Sequence, residues 1–196
     1  KAARHVGMHA HVGLGRIGTR IAKRLQGWEC DLVYTDIVQA DHGIENQLNL
    51  KRLPLNNLLQ QSDVITLHVP LNTSTHHMIG DTEFNIMKPS AVLINACRGP
   101  VVDELALIRA IQNGKISAAG LDVTEDEPTA IDNPLLSFDN VLITPHLAAF
   151  AQESTARSRA FAVYNANRIA SGKEPESIVL PDDTGEELDS IIMPPE

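Results

Sequence analysis

The segment Gly13-Leu-Gly-Arg-Ile-Gly18 carries glycines at the spacing with which a backbone wraps a diphosphate. Gly13 permits the tight turn, Gly15 lets the chain approach a pyrophosphate, and Gly18 lets a helix lie close to a sheet. The helix that follows presents N–H donors and a partial positive charge at its amino end, the complement of a phosphate. The glycine pattern alone is a weak signal. It becomes specific because it follows an apolar run, opens a helical pattern, and is answered by Asp36 at the end of the next apolar run. A carboxylate there accepts hydrogen bonds from both ribose hydroxyls, on the order of 1.5 to 3 kcal/mol for a charged bond. A 2′-phosphate would meet a like charge, and no Arg follows in Asp36-Ile-Val-Gln39 to offset it, so the expected cofactor is NAD rather than NADP. A second chemical group is Arg98. It is a permanent forked cation placed where the apolar run Val92-Leu-Ile-Asn95 ends, and in open parallel sheets such strand ends are where ligands bind.

The elements that must hold these residues are visible as short apolar runs alternating with helical patterns. Strands are expected at about 8 to 14, Asp31 to Thr35, Asp63 to Leu67, Ala91 to Ile94, Ala118 to Leu121 and Val141 to Thr144. None alternates strictly, which suits strands covered on both faces. Ile17, Ile21 and Leu25 are spaced for one helix face, and so are Leu105, Ile108 and Ile111, with Gly114 as a stop. A longer helix is expected from about Ala149 to Ala170, ending at Ser171-Gly-Lys173. The pattern predicts an α/β fold of Rossmann type: a doubly wound parallel sheet with helices on both faces. Residues 1–180 are expected to form this domain and residues 181–196 an acidic tail.

Composition narrows the function. The formal charge of -9 is concentrated in residues 182 to 196, which hold six carboxylates and no Lys or Arg. No basic stripe tracks a phosphate backbone, which argues against direct nucleic-acid binding. No apolar run approaches the roughly 18 to 20 residues of a membrane span. The two cysteines, Cys30 and Cys97, are too few for a disulfide framework and fit a reducing compartment, so the cytosol is expected.

Three further motifs complete a pattern: Asn95-Ala-Cys-Arg98-Gly-Pro-Val-Val-Asp-Glu104, Gly120-Leu-Asp122-Val-Thr-Glu-Asp-Glu127-Pro128 and Asn140-Val-Leu-Ile-Thr-Pro145-His146-Leu-Ala-Ala149. With the glycine segment they resemble the D-isomer-specific 2-hydroxyacid dehydrogenases, and Leu67-His-Val-Pro-Leu-Asn-Thr-Ser-Thr-His-His-Met-Ile79 is similar to that family's segment beside the nicotinamide. The resemblance implies hydride transfer between NAD(H) and a 2-hydroxy or 2-oxo acid. Arg98 would hold the substrate, and Glu127 with His146 would form the proton-transfer dyad, the carboxylate fixing the ring and favouring the imidazolium. Asp122 would meet the nicotinamide carboxamide. Arg16, Ile17, Val69, Pro70, Thr75, Ala96, Cys97 and Ala148 would line the cofactor with Gly13, Gly15, Gly18 and Asp36. Cys97 is read as a small residue against the cofactor, since hydride transfer requires no thiol. A homodimer is implied by resemblance alone.

Taken singly, Arg98, Glu127 and His146 also read as a surface arginine, one acid among several, and a loop histidine; their joint order at strand ends favours the chemical reading. Two departures stand out. His9 and His11 lie on one face of the first strand, where the family has branched apolar residues, so that strand is expected to be more exposed than usual or poorly packed. With His5 they form His-x-x-x-His-x-His, yet no carboxylate or thiol nearby completes a ligand set, and no metal is expected. His76-His77 reads as a solvated helix start. Relatives also carry a lobe of about a hundred residues ahead of this domain, so the chain is expected to be a piece of a longer enzyme. A second function remains open. Pro145-His-Leu-Ala-Ala-Phe-Ala-Gln-Glu-Ser154 and Gly172-Lys-Glu-Pro-Glu176 loosely resemble the C-terminal-binding protein corepressors, in which NAD(H) binding would govern protein partnership.

Overall fold

The computed structural model describes residues 7–176. These fall into two compact units that divide between Pro145 and His146. The expected boundary at 180/181, the acidic tail and His5 lie outside the described residues.

The first unit is a sheet of seven parallel strands. They are β1 (Met8–Val12), β2 (Asp31–Thr35), β3 (Leu50–Arg52), β4 (Val64–Leu67), β5 (Val92–Asn95), β6 (Ala118–Leu121) and β7 (Val141–Ile143). Their order is β3-β2-β1-β4-β5-β6-β7, and every pair is parallel. The order reverses between β1 and β4, which is the switch point at which such sheets bind ligands. Parallel neighbours need crossovers, and those present are α1 (Arg16–Arg24), α2 (His42–Leu48), α3 (Leu55–Gln61), α4 (Asp81–Ile86) and α5 (Glu104–Gln112). Sequence reading anticipated six of the strands. It passed over β3, a three-residue edge strand, and the short helices α2, α3 and α4.

Period-two alternation sorts the core. Leu32 and Tyr34 on one face of β2 pack with Ala22 of α1, Leu48 of α2 and Leu50 of β3 in the smaller cluster. Val33, on the other face, joins Ala10, Val12, Leu58, Leu59, Ile65, Leu67, Leu93 and Leu107 in the larger one. Helix ends follow local chemistry. Asp41 and Asp103 cap α2 and α5 by accepting from Gly43 N and Ala106 N, and Asn49 closes α2 in the left-handed conformation (φ 49°). Lys23 and Arg24 complement the carboxyl end of α1.

The second unit is built on α6 (Gln152–Ala170). Its last turn is closed as expected by Gly172 (φ 70°), with Gly172 N donating to Ile169 O at 3.0 Å and Lys173 N to Arg168 O at 2.9 Å. Residues 174 to 176 fold back on the helix: Arg168 Nε donates to Glu174 O at 2.8 Å and Tyr164 Oη to Glu176 Oε1 at 2.7 Å. Among the described residues no helix is long and apolar enough to cross a membrane.

Candidate active site

The glycine segment sits where the sheet order reverses. Gly13 follows β1 with φ 90°, and a Cβ on it would lie 2.6 Å from the carbonyl oxygen of His68; a Cβ on Gly18 would lie 2.5 Å from the carbonyl of Gly13. Those two positions are closed to any side chain by backbone. Gly15 differs: a Cβ there meets nothing within 4 Å, and no side chain caps the start of α1 behind it. The structure thus separates glycines that let the protein fold from one whose missing side chain leaves space at a helix amino terminus, the fit expected of a pyrophosphate cradle. Ile17 is 63% exposed beside it.

Asp36 lies just past β2 with both carboxylate oxygens fixed by backbone. Oδ2 accepts from Leu14 N at 2.7 Å and Oδ1 from Val38 N at 3.0 Å. Each oxygen keeps further acceptor capacity, so the group is oriented without being used up. Arg52 on β3 donates from Nη2 to the Asp36 carbonyl at 2.6 Å. This cation was missed in the sequence because it arrives from another strand rather than from the residues after Asp36.

Beyond β5 the chain turns around the amide of Asn95, which is 1% exposed. Its Oδ1 accepts from Cys97 N at 3.1 Å and its Nδ2 donates to Arg98 O at 2.9 Å. Arg98 is half-buried, and its Nη1 donates to Cys97 O at 2.8 Å. Burial pushes the Cys97 thiol up, which suits a small packing residue and not a nucleophile. Beyond β4, Val69 and Pro70 lead into a turn in which Thr75 Oγ1 donates to Pro70 O at 2.6 Å and Thr75 N to Asn72 Oδ1 at 3.1 Å. Beyond β6, Asp122 is 8% exposed and accepts from Thr144 Oγ1 at 2.6 Å. Glu127 is exposed on the same loop, and Ala96 is exposed after β5. All the expected residues of the first unit therefore follow the carboxyl ends of β1, β2, β4, β5 and β6. His146 (φ 52°) and Ala148 open the second unit, just after β7. Sequence reading missed Asn95 and Thr144, since their chemistry is the orientation of Arg98 and Asp122 and shows only in the fold.

Of the two expectations for β1, greater exposure fails at His11. His11 is fully buried, not exposed, and its ring lies between those of His9 (5.1 Å between centroids) and His68 (5.7 Å). The register His11↔Tyr34 and His11↔Thr66 puts the stack on the sheet face that packs under α1, and His68 Cδ2 lies 3.4 Å from where a Gly18 Cβ would be. His9 Nε2, both His11 ring nitrogens and His68 Nε2 are buried without hydrogen-bond partners. Burial lowers the His11 pKa to about 3, reinforced by His9 and His68, and lowers His68 to about 4. Among the described residues no group of three or more His, Cys, Asp or Glu is arranged to hold a metal ion. His76 and His77, expected at a helix start, instead lie in a turn ahead of α4, with rings stacked at 4.0 Å.

A seven-stranded parallel sheet in this order, with a glycine loop after its first strand and a backbone-held acid after its second, defines a dinucleotide-binding domain. The model of the family "D-isomer specific 2-hydroxyacid dehydrogenase, NAD binding domain" matches residues 4–148, and the chain belongs to that family, whose cofactor is NAD. A glyoxylate reductase of Korarchaeum cryptofilum is 40% identical over 168 residues, 86% of this chain and 50% of that protein. A glyoxylate/hydroxypyruvate reductase B of Shigella boydii is 44% identical over 172 residues, 87% of this chain and 52% of that protein. The D-lactate dehydrogenase of Lactobacillus jensenii, solved with NAD+, superposes with a TM-score of 0.80 at 30% identity, covering 89% of this chain and 56% of that one. The chain spans about half the length of these relatives.

Proposed function

We propose that the protein is an NAD-dependent oxidoreductase that interconverts a small 2-oxo acid and its D-2-hydroxy acid, with glyoxylate and hydroxypyruvate the first substrates to test. The observation that carries this is Arg98: a half-buried arginine at the carboxyl end of β5 whose backbone carbonyl is held by the buried Asn95 amide and whose guanidinium donates to Cys97 O, in a domain of this family. Bound NADH supplies the hydride to the carbonyl carbon. Arg98 pairs with the substrate carboxylate and stabilises the negative charge that develops on the carbonyl oxygen. His146 gives that oxygen its proton in reduction and takes one in oxidation, with Glu127 as the partner that supports the protonated ring. Asp36 accepts from the ribose hydroxyls, Gly13, Gly15 and Gly18 with the start of α1 hold the diphosphate, and Asp122, steadied by Thr144, receives the carboxamide. Arg16, Ile17, Val69, Pro70, Thr75, Ala96, Cys97 and Ala148 line the cofactor.

The same reading carries a homodimer in the cytosol, the latter supported by the free thiols of Cys30 and Cys97. Proton transfer by a positioned side chain contributes about 100- to 10,000-fold, so His146→Ala lowers kcat by that order in the intact protein while NADH binding persists. Glu127→Gln in the His146→Ala background adds little further loss, because the two act as a unit. Fully additive losses in steady-state kinetics would refute the dyad.

A further inference from the structure

Arg98 and Glu127 stand on different loops, and groups outside both residues bind one loop to the other. After Arg98 the chain passes so close to the neighbouring loop that a Cβ on Gly99 would stand 1.8 Å from the carbonyl oxygen of Thr124. Next to Thr124, Glu125 N donates to Glu104 Oε2 at 3.0 Å, and Glu104 Oε1 accepts from Asn133 Nδ2 at 2.7 Å. A third segment closes over both. His77 N donates to Pro100 O at 2.7 Å, Ile79 N to Val101 O at 3.2 Å and Asp103 N to Ile79 O at 2.9 Å. From that segment the His77 ring reaches across to the Glu125 carboxylate. His77 holds a left-handed backbone (φ 52°), a sparsely populated conformation that persists where the surroundings determine it.

We propose that His77 and Glu125 form a positioning pair that locks the Arg98 loop to the Glu127 loop, setting how the guanidinium meets the substrate without touching substrate itself. This rests on the roles given above to Arg98 and Glu127. Misplacing such groups by an ångström costs rate and spares the diphosphate and ribose contacts, which follow β1 and β2.

The test uses the intact protein with His77→Asn, which tolerates a left-handed backbone but is too short to reach, Glu125→Ala, the double variant, and Glu125→Gln as the conservative change. Measured are kcat and KM for glyoxylate, the NADH dissociation constant, and amide hydrogen exchange. Each single variant is expected to lower kcat by about 10- to 100-fold with a much smaller change in NADH affinity, whose diphosphate and ribose contacts are untouched. The double variant should be no worse than either single one, with partial recovery in Glu125→Gln. Exchange should rise in 99–103 and 123–127 and not in 8–18. A kcat within about twofold of the parent, or a loss matched by an equal loss of NADH affinity, would overturn the pair. If the parent itself turns over no 2-oxo acid, the proposed function fails while exchange still decides the clasp: unchanged exchange in both loops overturns it, and an increase confined to them upholds it.

Discussion

At the scale of single residues, His11 has the most unusual environment. A fully buried imidazole with neither ring nitrogen bonded sits beneath the loop that is to hold the cofactor. Its folded pKa of about 3, and about 4 for His68, lie below the 6.5 of a free imidazole, so between those limits the unfolded chain binds more protons than the native one. Stability from these groups is whole above pH 6.5 and falls as the pH drops toward 4, by roughly 2 kcal/mol for each group at pH 5. Acid unfolding should therefore begin near pH 6, as followed by circular dichroism. His11→Leu removes the unbonded nitrogens at similar volume; it should stabilise the fold by about 1 kcal/mol and lower the acid midpoint. An unchanged midpoint would contradict the assigned burial. Thr144→Val is the complementary case. It keeps the shape and removes the donor to the buried Asp122, so NADH should bind about fivefold more weakly, a loss of roughly 1 kcal/mol, with a modest fall in melting temperature.

At the scale of elements, the loop between β1 and α1 makes a sharp prediction because its glycines differ in what surrounds them. Gly15→Val places its side chain in open space in extended backbone, so the protein should fold with its normal melting temperature and lose NADH binding. Gly18→Ala meets the Gly13 carbonyl at 2.5 Å and should lower the melting temperature as well. Equal NADH affinity in Gly15→Val and the parent, by fluorescence titration, would remove the diphosphate from this loop. The same elements show what could be read in advance. The apolar runs Val64–Leu67, with buried residues on both faces, and Val92–Asn95, buried on one face and half-buried on the other, announced themselves, as did the glycines. β3 did not, since Leu50-Lys-Arg52 has one buried residue and is a strand through its pairing with β2. Arg98 was legible from its place at a strand end. Asn95, Arg52 and the His77–Glu125 contact were not, because each acts through a partner that only the fold brings near.

At the scale of the whole molecule, the chain is a cofactor domain whose relatives, about twice its length, are named for 2-oxo acid reduction. In the first unit, every residue given a role follows the carboxyl end of a parallel strand, where loops carry function on a rigid scaffold. Arg98 is proposed to direct this scaffold to a 2-oxo acid. The most direct measurement is NADH oxidation by the intact protein against a panel of 2-oxo acids that includes glyoxylate and hydroxypyruvate, with Arg98→Ala alongside. Turnover is expected in the parent, with a loss of kcat/KM of at least about 100-fold in Arg98→Ala and NADH still bound. Tight NADH binding with no turnover on any acid, or turnover indifferent to Arg98, would contradict it; the former would favour a cofactor-sensing, protein-binding role instead.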